Sequence, residues 1–381
     1  MRTHQLSWSA ASGWHATAPD FASADLVLYF GLRSALADGA RYRELRATFA
    51  KAHVVGCSTG GQIRNNDVDD DIAAVALHFD RTRLRLACEA VPTTGQSRSC
   101  GEAIGRALDA PDLAGIFILS DGLNVNGSEL VAGVTGAVRA KVPLTGGLAG
   151  DSALFEETLV GADCAPKRGQ VAAIGFYGDA IRIGHGSAGG WDEFGPRRRI
   201  TRSAGNVLQE LDGEPALDLY ERYLGEDDAR GLPGTALLFP LLIRDPAQPD
   251  QDVVRTVLAV DRQARSMTFA GDVPEGWVAQ LMHGNFDRLA AGAAVAARQA
   301  RSGLGEHRDQ DGLAVLVSCI GRRLLMDQRI MDEVEAAGAE LGPNIPRVGF
   351  YSYGEISPHG SAGLCQLHNQ TMTVTAITEA A

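Results

Sequence analysis

Three stretches of this chain repeat one order of elements, and that repetition constrains the fold more than any other feature. Each reads strand, exit with glycine, helix, second strand, glycine-rich end. The first copy has a strand at 26–30, an exit at Gly31–Arg33, a helix near 42–51, a strand at 53–55 and an end at Gly56–Gly61. The second has a strand at 116–119, an exit at Asp121–Asn124, a helix starting near Ser128 as N-cap, a strand at 142–144 and an end at Thr145–Asp151. The third has a strand at 313–317, an exit at Ile320–Arg323, a helix near 331–337 and an end at Gly349–Glu355. The first and third ends share Val, Gly, Gly and Ile in register, with Gln62 opposite Glu355.

In the first two copies a strand pair follows. Residues 72–77 with 83–86, and 171–176 with 181–183, each alternate around a short polar turn and are expected to form hairpins. Between the second and third copies, 186–199 reads as a domain boundary, 204–211 and 215–224 as helices, 253–269 as a hairpin and 287–301 as an alanine-rich helix. The fold class expected is therefore α/β (mixed α+β). Two domains, 22–213 and 214–373, carry mixed twisted sheets built from βαβ-plus-hairpin modules. Right-handed crossovers put the exits and ends at the carboxyl ends of their strands, where ligands bind in open α/β sheets.

A net charge of −12 argues against nucleic acid as a partner, which needs a basic face. The six cysteines are scattered with no CxxC pair, as expected of reduced thiols, and no metal site is expected. Neither a secretory leader nor an apolar run long enough for a span is visible, so a cytoplasmic protein without membrane insertion is expected.

The candidate site is richest at the third end. Between Arg347 and Gln370 lie Tyr351, Tyr353, Glu355, His359, His368 and Asn369, a dense mix of donors and acceptors flanked by strand-forming residues. Glycine at a strand end also lets a ligand approach backbone N–H groups, although tight turns alone explain any single end. The expected ligand contacts are Arg322, Tyr351, Tyr353, Glu355, His368 and Asn369, with Ser58, Thr59, Asp121 and Asp151 from the other ends. Arg322 reads equally well as a bidentate anchor for a carboxylate and as an ion-pair partner of Glu355. Gly56–Gly60 matches GxSxG, but a loop rather than a helix follows, so a hydrolase using Ser58 is a weak alternative and no catalytic residue is expected. Any of several histidines is a candidate haem ligand, and the sequence does not choose among them.

These stretches together resemble the FIST family. The carriers are 55–60, 119–122 and 144–151 in the first half, and 205–213, 215–220, 318–322, 349–356 and 368–371 in the second. The resemblance runs from about residue 21 to 373. It implies a non-enzymatic bacterial sensor that binds a small ligand, an amino acid or similar metabolite, and acts on a partner such as a histidine kinase or other signalling protein. No output domain fits in the chain, which is similar to the stand-alone branch. That branch includes haem-binding nitric oxide sensors, so haem with nitric oxide as the signal is the alternative the resemblance leaves open.

Overall fold

The computed structural model describes all residues except 17–22, 248–251, 309, 344, 360–362 and 381. The expected domain start at residue 22 and the side chain of His359 lie outside the described residues. The three repeated copies each build a sheet around a parallel strand pair. In the first sheet Leu26–Gly31 runs parallel to His53–Ser58, in the second Leu113–Ser120 to Leu144–Leu148, in the third Gly312–Cys319 to Arg347–Ser352. The helices Ala40–Thr48, Gly127–Ala137 and Ile330–Leu341 make the crossovers. An antiparallel strand borders the first strand of each pair: Ile72–His78, Gln170–Tyr177 and Met372–Glu379. The mixed α/β class is as the sequence implied.

The remaining strands are exchanged in a ring. Gln62–Arg64 follows the first copy yet joins the third sheet beside Arg347–Ser352. Val160–Ala162 follows the second and joins the first sheet beside His53–Ser58. Gly354–His359 follows the third and joins the second sheet beside Leu144–Leu148. The outer edges follow the same logic. Arg83–Ala90 pairs with Gln170–Tyr177, and Ile181–Ala188 with Met372–Glu379. The two expected hairpins are therefore not formed. Ile72–His78 already has both edges occupied, by Leu26–Gly31 and Arg2–Ser9, so the next strand must leave for another sheet. Glu379 secures that departure by accepting from the amides of Asp80, Arg81 and Thr82.

Alternation along the strands gives each sheet two apolar faces, as expected of parallel strands covered on both sides. One face of each meets the others in a shared core containing Leu28, Phe30, Phe117, Leu119, Val315 and Phe350. The Phe30 and Phe350 rings stack there at 4.7 Å. The other faces pack under helices: Val27 and Tyr29 against Leu45 and Phe49, Ile118 with Leu130 and Val134, Leu316 with Ala296 and Val334.

Strands lying between Trp191 and Gly284 form a fourth sheet with its own core under the helix Ala216–Leu224. The expected boundary contains a long strand, Trp191–Ala204. The expected helix 204–211 is instead the strand Val207–Leu211, returning antiparallel on it. Gly205 at φ +57° turns the chain back, and Asp212–Gly213, both at positive φ, turns it again. No described helix is long and apolar enough to cross a membrane.

Candidate functional site

The glycine ends of the three copies do converge, and chiefly on one another. Gly60 N donates to Tyr351 O at 2.8 Å, Gly150 N to Ser58 O at 2.9 Å, and Tyr353 N to Leu148 O at 3.2 Å, a cycle linking all three modules. The approach is close enough to require glycine. A Cβ on Gly60 would stand 2.4 Å from Ile320 Cδ1 of the third copy, and one on Gly150 3.1 Å from Gly60 N of the first; within the second copy, one on Gly122 would stand 1.9 Å from Ala149 O.

A cavity of about 480 Å³ opens beside this junction, where the exits of the second and third copies meet the fourth sheet. That volume suits a small metabolite. The second exit contributes Gly122, Leu123 and Asn126, the third Cys319, Ile320 and Gly321, and the fourth sheet Thr256, Leu258, Gly271 and Asp272. Asn126 caps the helix Gly127–Ala137 by accepting from Glu129 N at 3.1 Å, two residues before the expected cap Ser128. Its Nδ2 reaches Asp272 Oδ1 at 3.3 Å, which ties the second module to the fourth sheet. Phe155 stacks on Tyr353 with ring centroids 4.6 Å apart, giving an aromatic wall. Phe155, Leu258 and Leu324 remain exposed at the rim.

Among the expected contacts, Tyr353 and Asn369 stand at this cavity. The Tyr353 hydroxyl is engaged by Asp151 and Ser152 O. Burial, then the Asp151 carboxylate, raises its pKa. Asn369 is fully buried, and neither Oδ1 nor Nδ2 finds a partner among the described residues. Thr256 Oγ1 is in the same position on the opposing sheet. A buried polar atom without a partner costs about 1–3 kcal/mol, so each such group calls for a partner, which a bound ligand or an ordered water supplies.

The other expected contacts serve the framework. Arg322 is fully buried, and its ion pair is with Glu333 at 2.8 Å rather than with Glu355. It also donates to Leu289 O at 2.8 Å and to the carbonyls of Gly189 and Gln370. Tyr351 donates to the same Glu333 at 3.0 Å. Glu355 lies between Ser352 and Thr371, and burial outweighs those hydrogen bonds to push its pKa up to about 8. His368 Nε2 pairs with Ser357 O at 3.0 Å. Ser58 Oγ accepts from Leu159 N, and Thr59 from Gly61 N. Asp121 accepts from Leu123 N, Asn124 N and Thr158 Oγ1, fixing the second exit. Asp151 accepts from the amides of residues 155–157.

After Ser58 the chain runs into the strand Gln62–Arg64, so the strand–turn–helix of a nucleophile elbow is not built. A haem in this cavity would need an axial donor. The described wall has no histidine or methionine; burial holds the Cys319 thiol protonated, and Asp151 engages Tyr353. The residues present do not fit haem there. Asn126, Thr256, Asp272 and Phe155 were not foreseen. Thr256 and Asp272 stand on the cavity because the fourth sheet, which the sequence presented partly as a boundary, folds back onto the second exit, while Asn126 and Phe155 come from the second module itself.

The fold and its cavity define a mixed α/β protein with a pocket of small-molecule size where its modules meet the fourth sheet. Residues 25–214 match the FIST N domain family and residues 216–358 the FIST C domain family. The chain belongs to the FIST family, whose domains are associated with small-ligand sensing in signal transduction. It is also similar to an uncharacterized protein of Methanocaldococcus jannaschii, 26% identical over 188 residues, covering 45% of this chain. The match spans about a third (34%) of that relative's length.

Proposed function

We propose that this protein senses a small molecule, an amino acid or similar metabolite, in the cavity between the second and third modules and the fourth sheet, and passes the signal to a partner such as a histidine kinase. One observation carries the reading. The walls come from three stretches distant along the chain, the second exit, the third exit and the fourth sheet, and on them stand polar side chains, Asn369 and Thr256, with no protein partner among the described residues. A ligand that contacts all three parts favours one arrangement of them, which is what a sensor requires.

The test is a thermal-shift and calorimetric screen of amino acids and related metabolites against the wild type and Leu324→Trp. Leu324 is half-exposed at the rim, so tryptophan there narrows the cavity without touching the core. The expected result is a compound that raises the wild-type Tm and leaves the variant unmoved. A screen with no positive compound, or a shift that survives in Leu324→Trp, overturns the reading. A kinase partner is tested by whether the positive compound alters autophosphorylation of a cognate kinase only when this protein is present.

A further inference from the structure

The chemistry of the cavity wall narrows the ligand class, and this step rests on the cavity being the sensing site. The wall is mostly apolar, with the Phe155–Tyr353 ring pair on one side. Among the described residues that line it, Asp272 is the single ordinary acid, and neither lysine, arginine nor histidine is present. The nearby cation is Arg255, buried behind Gly271. Its Nε donates to Asp272 O at 3.0 Å and its Nη1 to Leu367 O at 3.0 Å. Arg255 is bonded to main-chain carbonyls and not to the Asp272 carboxylate, yet stands near enough to feel its charge. A ligand carboxylate would meet Asp272 with no cation facing it, and an amine would meet Asp272 with Arg255 behind. Either charge is desolvated with little return.

Asn369 sets the second condition. Its side chain carries an acceptor and a two-proton donor side by side, both without protein partners. The group that satisfies both at once is a cis-amide edge, an N–H beside a C=O, as in a carboxamide, a lactam or a pyrimidine-type base. A carboxylate takes only the donor and leaves Oδ1 facing another lone pair. We infer that the cavity takes an uncharged compound with an apolar or aromatic body and an amide-type edge paired to Asn369, and rejects the corresponding carboxylate; within the class proposed above, this selects an uncharged metabolite over a free amino acid, whose carboxylate and ammonium would both be desolvated. Thr256 Oγ1, also unpartnered on the wall, supplies one further hydrogen bond.

The experiment uses probes of one shape and different charge on the full chain: benzamide, benzoate and benzylamine, with uracil as a lactam. Binding is read by calorimetry and by Tm. Benzamide or uracil is expected to bind at least about tenfold more tightly than benzoate, since a site built for hydrogen bonds rejects an analogue that leaves them unpaired. Benzamide alone points to a carboxamide ligand, and uracil alone to a heterocycle. Asn369→Leu is expected to hold or raise the Tm of the unliganded protein while abolishing the probe's shift, the reverse of what a structural asparagine would do. If Asn369→Leu does not fold, Thr256→Val serves, with probe affinity falling several-fold. Benzoate binding as tightly as benzamide, a shift that survives Asn369→Leu, or no response to either uncharged probe overturns the amide edge. In the first two cases a small molecule still binds, so the sensor reading stands. That reading fails separately, through the metabolite screen.

Discussion

Arg255 Nη1 donates to the carbonyl of Leu367 at 3.0 Å, from the fourth sheet to the strand Leu364–His368 of the second sheet. Its neighbour Thr256 stands on the cavity, so the bond lies one residue from the site. Burial lowers the Arg255 pKa to about 10, against the opposing pull of Asp272, so the guanidinium stays charged at neutral pH. Arg255→Ala removes the donor to two carbonyls and is expected to cost about 2 kcal/mol or more. Hydrogen exchange should rise in Asp252–Arg255 and Leu364–His368 before it rises elsewhere. Uniform exchange in the variant would show that the bond does not hold the seam.

Arg322 is expected to behave as a framework residue. Arg322→Ala leaves Glu333 buried without its partner and should cost about 3–5 kcal/mol, measured by denaturant unfolding. Arg322→Met combined with Glu333→Leu should recover most of that loss, because a buried ion pair is often replaceable by well-packed apolar groups. A fully stable Arg322→Ala with weakened ligand binding would restore its role as an anchor.

Gly122→Ala is expected to destabilise by about 1–3 kcal/mol or more, since the new Cβ falls 1.9 Å from a backbone oxygen that cannot move freely. The second exit lines the cavity, so ligand affinity should fall in the same variant. Gly136→Ala, in open space on a helix, is the control and should be neutral or mildly stabilising.

Two buried carboxylates make opposite predictions about pH. Burial holds the Glu355 pKa up at about 8, above its ordinary 4.5, so the folded state keeps a proton that the unfolded state releases. Its contribution is therefore present below 4.5 and declines as pH rises from 4.5 to 8. Glu355→Gln keeps the hydrogen-bonding positions and should flatten that decline in Tm across the window.

For Glu379, burial raises the pKa, but donation from Asp80, Arg81 and Thr82 outweighs it and brings the value down to about 2. Its contribution is present above 4.5 and lost as pH falls from 4.5 to 2. Glu379→Gln should be less stable than wild type at pH 7, with the gap closing as the pH nears 2. A gap that does not change with pH would mean the carboxylate's charge is not what the turn uses.

Much of the framework was legible in the chain. The repeated order of strand, glycine and helix is a local pattern, so the three parallel pairs and their crossover helices appear close to where the periodicity puts them, although the strand read at 142–144 is Leu144–Leu148 and takes in the glycines read as its end. The helices at Ala216–Leu224 and Phe286–Gly303 follow from proline at a start and alanine-rich periodicity. Tyr353 and Asn369 were reachable because they sit in a polar string beside a strand. The segment at 204–211 misled, because Leu208 and Leu211 suit a helical face as well as a strand, and one left-handed glycine decided between them.

The sequence by itself determined the module and its number of copies, because hydrophobic period and glycine placement are properties of neighbouring residues. Only the tertiary structure decided which strand pairs with which, because a strand joins whichever sheet edge is still open. In this chain those open edges belong to other modules. The cavity follows from that choice. Asn369 is far along the chain from Thr256 and Asp272, and the folding of the fourth sheet onto the exchanged modules brings them to one cavity.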